Sequence, residues 1–532
     1  MVNRECAFVL SRRGVCVLLF CLYLCLCTAC FFPRMAGFSD EWLLPKWYLS
    51  VSVAAALVMA EAYLLYIRSK VAGLPRGRLF SAALSVAATL ECLYTFGVFF
   101  YRGGTAYAGA SGTFDNPAGL SLCLCLSLPF MYRFVRDCQG KALRAVGYAA
   151  ICLAVAAVCL SRSRTGLLCL TAFLVMLLYA RAKIRSRVKA ACAVVACLCV
   201  VAFCLTRKED SSSGRRFILE RSWELISRKP WTGHGSGGFE REYMQVQGDY
   251  FARHPDSRYA WLADEVRHPL NEFVLAWVDY GVAVPCLIVL FFGFSIFRLS
   301  RRKEGFSTAL ACSLFALFVF ACFSYPSKYP LSWLVAVAAL ACLLWKPLSV
   351  RLHGRFRRVY AVAFGLLSIA VWTGLVVEYH YERTWSRAAR CCLHGYSEQM
   401  MPVYGRLYRH YSRNPYFLYN YAAEQFYAGC FASALETARE CRVYWSSYNL
   451  ELLTGDICRH SGRYEEAISH YLQAGNMCPV RFAPLEGLYH AYKDSGDTRK
   501  ADSVSAVIRR KKVKVPSSDV VRIKAEAGGG SD

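Results

Sequence analysis

Long apolar stretches alternate with short polar stretches along the first 380 residues. A membrane-spanning helix needs about 20 mostly apolar residues. Eleven stretches satisfy this requirement, at 14–32, 47–67, 79–101, 117–132, 145–160, 165–180, 190–205, 272–297, 306–324, 329–345 and 359–378. We therefore expect an all-α fold, with a polytopic helical membrane domain of about eleven spans over residues 1–380 and a large loop at 206–271.

From about residue 381 the composition becomes typical of a soluble domain. A short sequence pattern then recurs. It places a glycine five residues before an alanine at Gly429/Ala434, Gly462/Ala467 and Gly496/Ala501. Gly455 precedes Ala467 by twelve residues and Pro479 follows it by twelve. This spacing resembles the 34-residue tetratricopeptide repeat, which implies an α-solenoid of helical hairpins over 381–515. Such arrays bind protein partners, and the polar stretch 516–532 predicts a flexible tail.

The composition and the charge exclude several classes of protein. Hydrophobic residues make up 56% of the 532 residues and charged residues 19%, which excludes a disordered chain, a coiled coil and a collagen-like fibre. The clustering of the apolar residues in long runs argues against a large soluble enzyme. The formal net charge is +26, but the basic residues lie between the apolar stretches. This arrangement is typical of membrane orientation and argues against a nucleic-acid partner.

The loop charges predict the orientation. The loops on one side, with the N-terminus, carry 25 Lys and Arg residues, whereas the short loops on the other side carry six. Because positive loops stay in the cytoplasm, we expect a cytoplasmic N-terminus. With eleven spans, the loop 206–271 and the C-terminal repeats would then be extracytoplasmic, in a bacterial inner membrane.

We expect the cysteines and the two carboxylates within predicted spans to have structural roles. Most of the 27 cysteines fall inside apolar stretches, where cysteine behaves as a small hydrophobe. Glu61 and Glu91 fall within predicted spans. A proton relay is one interpretation, but we favour structural polar contacts facing the bundle interior.

Two polar motifs lie at the outward ends of spans. The first is Gly112-Thr-Phe-Asp-Asn116-Pro-Ala-Gly119, whose turn-forming residues leave backbone amides available. The second is Ser161-Arg-Ser163-Arg164-Thr-Gly166, between two spans with almost no loop. Guanidinium groups match phosphate geometry, so Arg164 is a candidate to bind a lipid phosphate. The alternative is a positive cap that meets lipid headgroups.

The large loop carries basic, glycine-rich and histidine-containing motifs. Arg215 and Arg216 begin a stretch in which Phe217, Trp223 and Ile226 could form one apolar stripe on the membrane. The glycines that follow, Gly233, Gly235 and Gly237, permit tight turns near a ligand or another loop. His268 and Asn271 precede the next span, and a histidine there can act as a general base. The irregular spacing of His234, His254 and His268 argues against a metal site.

The order of these motifs resembles the O-antigen ligase superfamily, over roughly residues 110–290. The superfamily comprises O-antigen ligases, O-antigen polymerases and bacterial protein O-oligosaccharyltransferases. The resemblance implies transfer of a glycan from an undecaprenyl-diphosphate carrier to a hydroxyl of a lipid, glycan or protein acceptor, without metal, nucleotide sugar or other cofactor. Arg164 and one or both of Arg215 and Arg216 would bind the diphosphate, and His268 would be the base or would orient the acceptor. Asn116, Ser163, Asn271 and the three glycines would support these loops.

Two other classes of function are alternatives to glycan transfer. A transporter or flippase would concentrate polar residues at mid-membrane between repeated halves, and the sequence shows no such halves. A membrane scaffold would act through its repeats, so that deleting 381–532 would abolish function while substitutions in the loops would have no effect.

Overall fold

The structure, a computed structural model, describes residues 12–66, 74–103, 109–181, 209–302, 304–351 and 355–528, and these ranges are largely α-helical. The helices are α1 Arg12–Phe31, α2 Leu44–Tyr66, α3 Arg76–Tyr101, α4 Pro117–Asp137, α5 Lys141–Leu160, α6 Arg164–Arg181, α7 Glu209–Arg228, α8 Gly238–Arg253, α9 Glu272–Tyr280, α10 Ala283–Ser300, α11 Gly305–Phe323, α12 Pro330–Arg351, α13 Arg355–Leu393, α14 Ser397–Tyr411, α15 Pro415–Tyr427, α16 Phe431–Tyr444, α17 Tyr448–His460, α18 Tyr464–Met477, α19 Ala483–Asp494, α20 Thr498–Arg510 and α21 Ser518–Gly528. Short 3₁₀ turns follow α8 and α11. The all-α polytopic prediction is confirmed.

Eight helices within the described ranges are long and apolar enough to cross a membrane: α1 to α5, α10, α11 and α13. The spans predicted at 165–180 and 329–345 correspond to α6 and α12, which contain shorter apolar helical stretches at Arg164–Phe173 and Pro330–Leu344. The span predicted at 190–205 lies outside the described residues. The segment 272–297 is not one helix, because the chain breaks between α9 and α10 at Gly281, whose φ is +76°.

The chain divides into two compact units. The membrane unit comprises 1–204 and 288–383, and the second unit comprises 205–287 and 384–532. The large loop therefore belongs to the same compact unit as the C-terminal helices. The boundary at 383 lies close to the predicted one at 380.

Helix α4 forms the centre of the membrane unit, where it contacts α3, α5, α6, α11 and α12. Small and apolar residues such as Ser121, Cys123 and Ala157 are buried there and allow close helix packing. The two intramembrane carboxylates have partners: Glu61 forms two hydrogen bonds with Arg76, at 2.7 and 2.8 Å, and Glu91 is fully buried against Thr113. This geometry agrees with the structural interpretation.

The C-terminal helices of the second unit form antiparallel hairpins. The turns within three hairpins contain Gly429, Gly462 and Gly496, each with φ between +74° and +83°. Gly455 and Gly487 both lie against the Tyr471 ring, where an added Cβ would come within 2.6 Å of a ring atom. The tail that we expected to be flexible is instead helical over α21, because Ile523 and Ala527 pack against α19 and α20.

Candidate functional site

The first candidate motif, around Asn116, forms the start of α4. Asn116 caps the helix by accepting a hydrogen bond from the Gly119 amide at 2.9 Å, and Pro117 occupies the first helical position. The Asn116 amide donates to the hydroxyls of Tyr325 and Tyr329, at 3.1 and 2.9 Å. Asn116 therefore joins α4 to the connection between α11 and α12.

Buried polar contacts hold the turn before Asn116 in place. The Glu91 carboxylate accepts the Thr113 amide at 2.9 Å and lies 2.9 Å from the Thr113 hydroxyl. Asp115 accepts the Tyr329 hydroxyl at 2.8 Å and pairs with Lys328 at 3.2 Å. The roles of Asp115, Lys328 and Tyr329 could not be predicted from the sequence, because they depend on contacts between residues more than 200 positions apart.

The structure brings the second motif, Ser161–Gly166, beside the first. The amide of Ala110 donates to the carbonyl of Leu160 at 3.1 Å, and an added Cβ at Gly166 would lie 2.7 Å from Ser121. The Ser163 hydroxyl accepts the Gly166 amide at 3.2 Å, in the first turn of α6. The helices α4 and α6 therefore begin side by side, and Arg164 lies in the first turn of α6.

This pairing has an electrostatic consequence. The aligned peptide dipoles of a helix leave a partial positive charge at its N-terminus, which favours anions. Two such N-termini, with Arg164 on one of them, create a local environment suited to a phosphate. The neighbouring residue Arg162 is exposed and has φ +51°, so the corner between α5 and α6 is tight.

The basic pair Arg215 and Arg216 lies on α7 in the second unit. Consecutive residues of a helix are about 100° apart around its axis, so the side chains of Arg215 and Arg216 project from α7 in different directions. Arg216 is exposed and pairs with Glu220 at 2.8 Å. Arg216 is thus held by an ion pair on the surface of α7.

The predicted membrane-facing stripe of α7 is wrong for two of its three residues. Phe217 and Ile226 are each 2% exposed and pack into the interior of the second unit. Trp223 remains 59% exposed, with an edge-to-face contact to Trp277. The stripe faces inward because α7 packs against α8, a contact that the periodicity alone does not specify.

The glycine-rich loop encloses the end of α9. The amides of Gly237 and Phe239 donate to the Asp279 carboxylate at 3.2 and 2.9 Å, and the amide of Gly235 donates to the Asp279 carbonyl at 2.8 Å. Gly233 also abuts the Asp279 backbone, where an added Cβ would lie 2.4 Å from the carbonyl oxygen. Burial raises the pKa of the Asp279 carboxyl, and the amides of Phe239 and Gly237 oppose this shift. The three glycines thus serve a contact within the protein.

His268 and Asn271 shape the turn that enters α9. The Nδ1 atom of His268 accepts the Leu270 amide at 3.2 Å. A neutral imidazole in this arrangement therefore carries its proton on Nε2. Leu270 has φ +58°, an unusual conformation for leucine. Asn271 caps α9 by accepting the amides of Phe273 and Val274 at 2.9 and 3.0 Å.

The other two histidines of the loop make separate contacts. His234 Nε2 lies 2.9 Å from the Leu225 carbonyl, so it is the donor of this hydrogen bond. His254 follows α8, lies 3.0 Å from the Tyr250 carbonyl through Nδ1, and stacks on the Tyr250 ring. Asn116, Ser163 and Arg164 belong to the membrane unit, whereas Arg215, Arg216, His268, Asn271 and the three glycines belong to the second unit.

Residues 149–289 match a family model described as O-antigen ligase. No curated protein and no solved structure matches the chain. The matched segment contains Arg164, the Arg215–Arg216 pair, the glycine-rich loop and His268. The match supports the O-antigen ligase superfamily and, with it, glycan transfer in the assembly of O-antigen or a related polysaccharide.

Proposed function

We propose that this chain transfers a glycan from an undecaprenyl-diphosphate carrier to an acceptor hydroxyl on the extracytoplasmic face of a bacterial inner membrane. The observation that carries the proposal is the O-antigen ligase match over 149–289, which spans the arginine motif and the histidine motif together. The paired starts of α4 and α6 support it, because they favour an anionic group beside Arg164.

The arginines would bind the diphosphate. Arg164 is held in the first turn of α6, and a guanidinium can form two parallel hydrogen bonds with phosphate oxygens. One or both of Arg215 and Arg216 would supply further positive charge. Positive charge at the departing diphosphate lowers the barrier, because negative charge develops there as the sugar leaves.

His268 would act through its Nε2 atom. The Nδ1 lone pair accepts the Leu270 amide, so the geometry favours Nε2 as a hydrogen-bond donor rather than a base. The acceptor oxygen attacks the anomeric carbon, the bond from that carbon to the phosphate oxygen breaks, and the acceptor proton passes to the departing diphosphate. The Nε2–H group would orient the acceptor or stabilise a phosphate oxygen in this step.

The decisive experiment replaces His268. His268→Ala should leave membrane insertion and abundance unchanged and should lower glycan transfer about 10²-fold, the scale of a lost transition-state hydrogen bond. His254→Ala is the matched control, since His254 lies in the same loop outside every motif and should transfer normally. Purified His268→Ala protein that transfers at the wild-type rate would overturn the proposal for this residue.

The acceptor distinguishes ligase, polymerase and protein O-oligosaccharyltransferase, which share this chemistry. A deletion strain assigns the class: a ligase mutant loses surface polysaccharide, a polymerase mutant shortens its chains, and a protein glycosyltransferase mutant loses protein glycans. A deletion strain that retains all three products would contradict the proposed function as a whole.

A further inference from the structure

The segment 264–267, which immediately precedes His268, lies against the C-terminal helices of the same unit. Arg481 donates to the Asp264 carboxylate at 2.8 and 3.0 Å. Ser447 and Asn449, at the start of α17, donate to the Glu265 carboxylate at 2.5 and 3.0 Å. Two consecutive side chains of the segment are therefore bound by residues about 180 to 220 positions later in the chain.

Arg267 continues the same contact. Its guanidinium carbon lies 5.3 Å from the ring centre of Tyr416 and 5.2 Å from that of Trp445. The two rings are in contact with each other, with their centres 5.4 Å apart. A planar guanidinium is well suited to this position, because it is attracted to aromatic faces and can stack on them.

Further hydrogen bonds join the large loop to the C-terminal helices. The fully buried amide of Gln247 donates to the carbonyls of Asp264 and Met477, at 3.0 and 2.7 Å. The Ser446 amide donates to the Glu240 carbonyl at 3.0 Å, and the Tyr416 hydroxyl lies 3.2 Å from the Glu240 carboxylate. The loop and the C-terminal helices thus share one continuous network.

We infer that the C-terminal helices position His268, with Glu265 and Arg267 as the positioning residues. The inference rests on the proposed function of His268. The segment 264–271 contains no regular secondary structure, so its conformation depends on side-chain contacts to offset the entropy of ordering it. A displacement of about 1 Å at a reacting group can lower the rate about 10²-fold, so these contacts affect catalysis.

One face of the helical hairpins binds the chain's own loop. Tyr416, Trp445, Ser447 and Asn449 all contact the chain's own loop. This face therefore holds the loop in place and is not the surface through which the hairpins would recruit a protein partner.

The test breaks the Glu265 contact from each side. Glu265→Ala, Asn449→Ala and the double variant are compared in purified full-length protein, with carrier-linked glycan extracted from membranes of the same cells as donor. We expect the turnover number of each single variant to fall about tenfold while the KM for the donor stays unchanged. The double variant should fall no further than Glu265→Ala, because both changes remove one interaction.

Three further variants keep the test specific. Ser447 and Asn449 donate to different oxygens of the Glu265 carboxylate, so Glu265→Gln keeps one of the two acceptors, and its turnover should lie between those of the wild type and Glu265→Ala. Arg463→Ala is the matched control, since Arg463 pairs with Glu466 at 2.5 Å and touches no part of the loop. If either alanine variant lowers abundance, Arg267→Lys replaces it, because the Arg267 side chain is 50% exposed and lysine keeps its charge but loses the planar stacking.

The outcomes separate this inference from the proposed function. Wild-type turnover in all the positioning variants, together with an inactive His268→Ala, would overturn the inference and leave the proposed function intact. A raised KM with normal turnover would also overturn it, because the segment would then bind the donor. Wild-type transfer by His268→Ala would overturn the proposed role of His268 itself.

Discussion

Asn271 caps α9 directly after the strained backbone of Leu270, and its role can be tested separately from catalysis. Asn271→Ala removes the acceptor for two backbone amides, so we expect a loss of about 1 kcal/mol in stability. Asn271→Asp retains the cap and should match wild type. Thermal unfolding of the purified protein measures both, and equal melting temperatures for the alanine and aspartate variants would contradict the capping role.

Single residues also show which features of the site can be predicted from the sequence and which cannot. An asparagine before a proline is a common helix start, so the position of Asn116 could be anticipated. Its tyrosine partners could not, because they lie 209 and 213 residues later. The left-handed conformation of Leu270 was equally hidden, since leucine rarely adopts it and its neighbours impose it.

The glycine-rich loop gives a prediction about a structural element. Gly281 and Gly235 both have positive φ, but an added Cβ at Gly281 would lie 1.9 Å from the Trp231 carbonyl oxygen, whereas Gly235 has open space. Gly235→Ala should cost about 1–2 kcal/mol through backbone strain alone. Gly281→Ala adds a backbone clash and should cost more than about 3 kcal/mol.

Melting temperatures and membrane abundance of the two glycine variants provide the measurement. The Gly281→Ala protein should be the less stable and the less abundant of the pair. Equal behaviour would mean that the loop does not close on α9 as described.

At the element scale, the apolar stretches predicted most helices because a long apolar run has one stable conformation in a bilayer. Two incorrect predictions, a single span over 272–297 and a membrane-facing stripe on α7, have a common physical cause. The break between α9 and α10 and the inward face of α7 both depend on packing between segments, such as the glycine loop around Asp279. Helix α21 was missed because its contacts are with α19 and α20.

The whole molecule has a predicted orientation. The 25-to-six asymmetry of loop charges, together with eleven predicted spans, predicts that the C-terminus lies outside the cytoplasm. A phosphatase fused after Asp532 should be active, and a reporter that works only in the cytoplasm should be silent there. The opposite pattern would show that the number of spans is even.

The division into units could be predicted only in part. Composition marked the boundary near residue 380, since the chain becomes polar there. It gave no indication that the loop 205–287 joins the C-terminal helices, because complementary pairs such as Asp264 with Arg481 are far apart in sequence.

The distance in sequence between the loop and its supporting helices sets an order of events during synthesis. Arg481 is made roughly 200 residues after His268, which takes about 10–40 s at usual elongation rates. Until then, Asp264 and Glu265 lack the residues that hold them. A chain still on the ribosome, or one truncated before α17, would carry every proposed catalytic residue without a fixed histidine segment. Completion of the C-terminus would thus act as a checkpoint that keeps unfinished chains from consuming the lipid carrier.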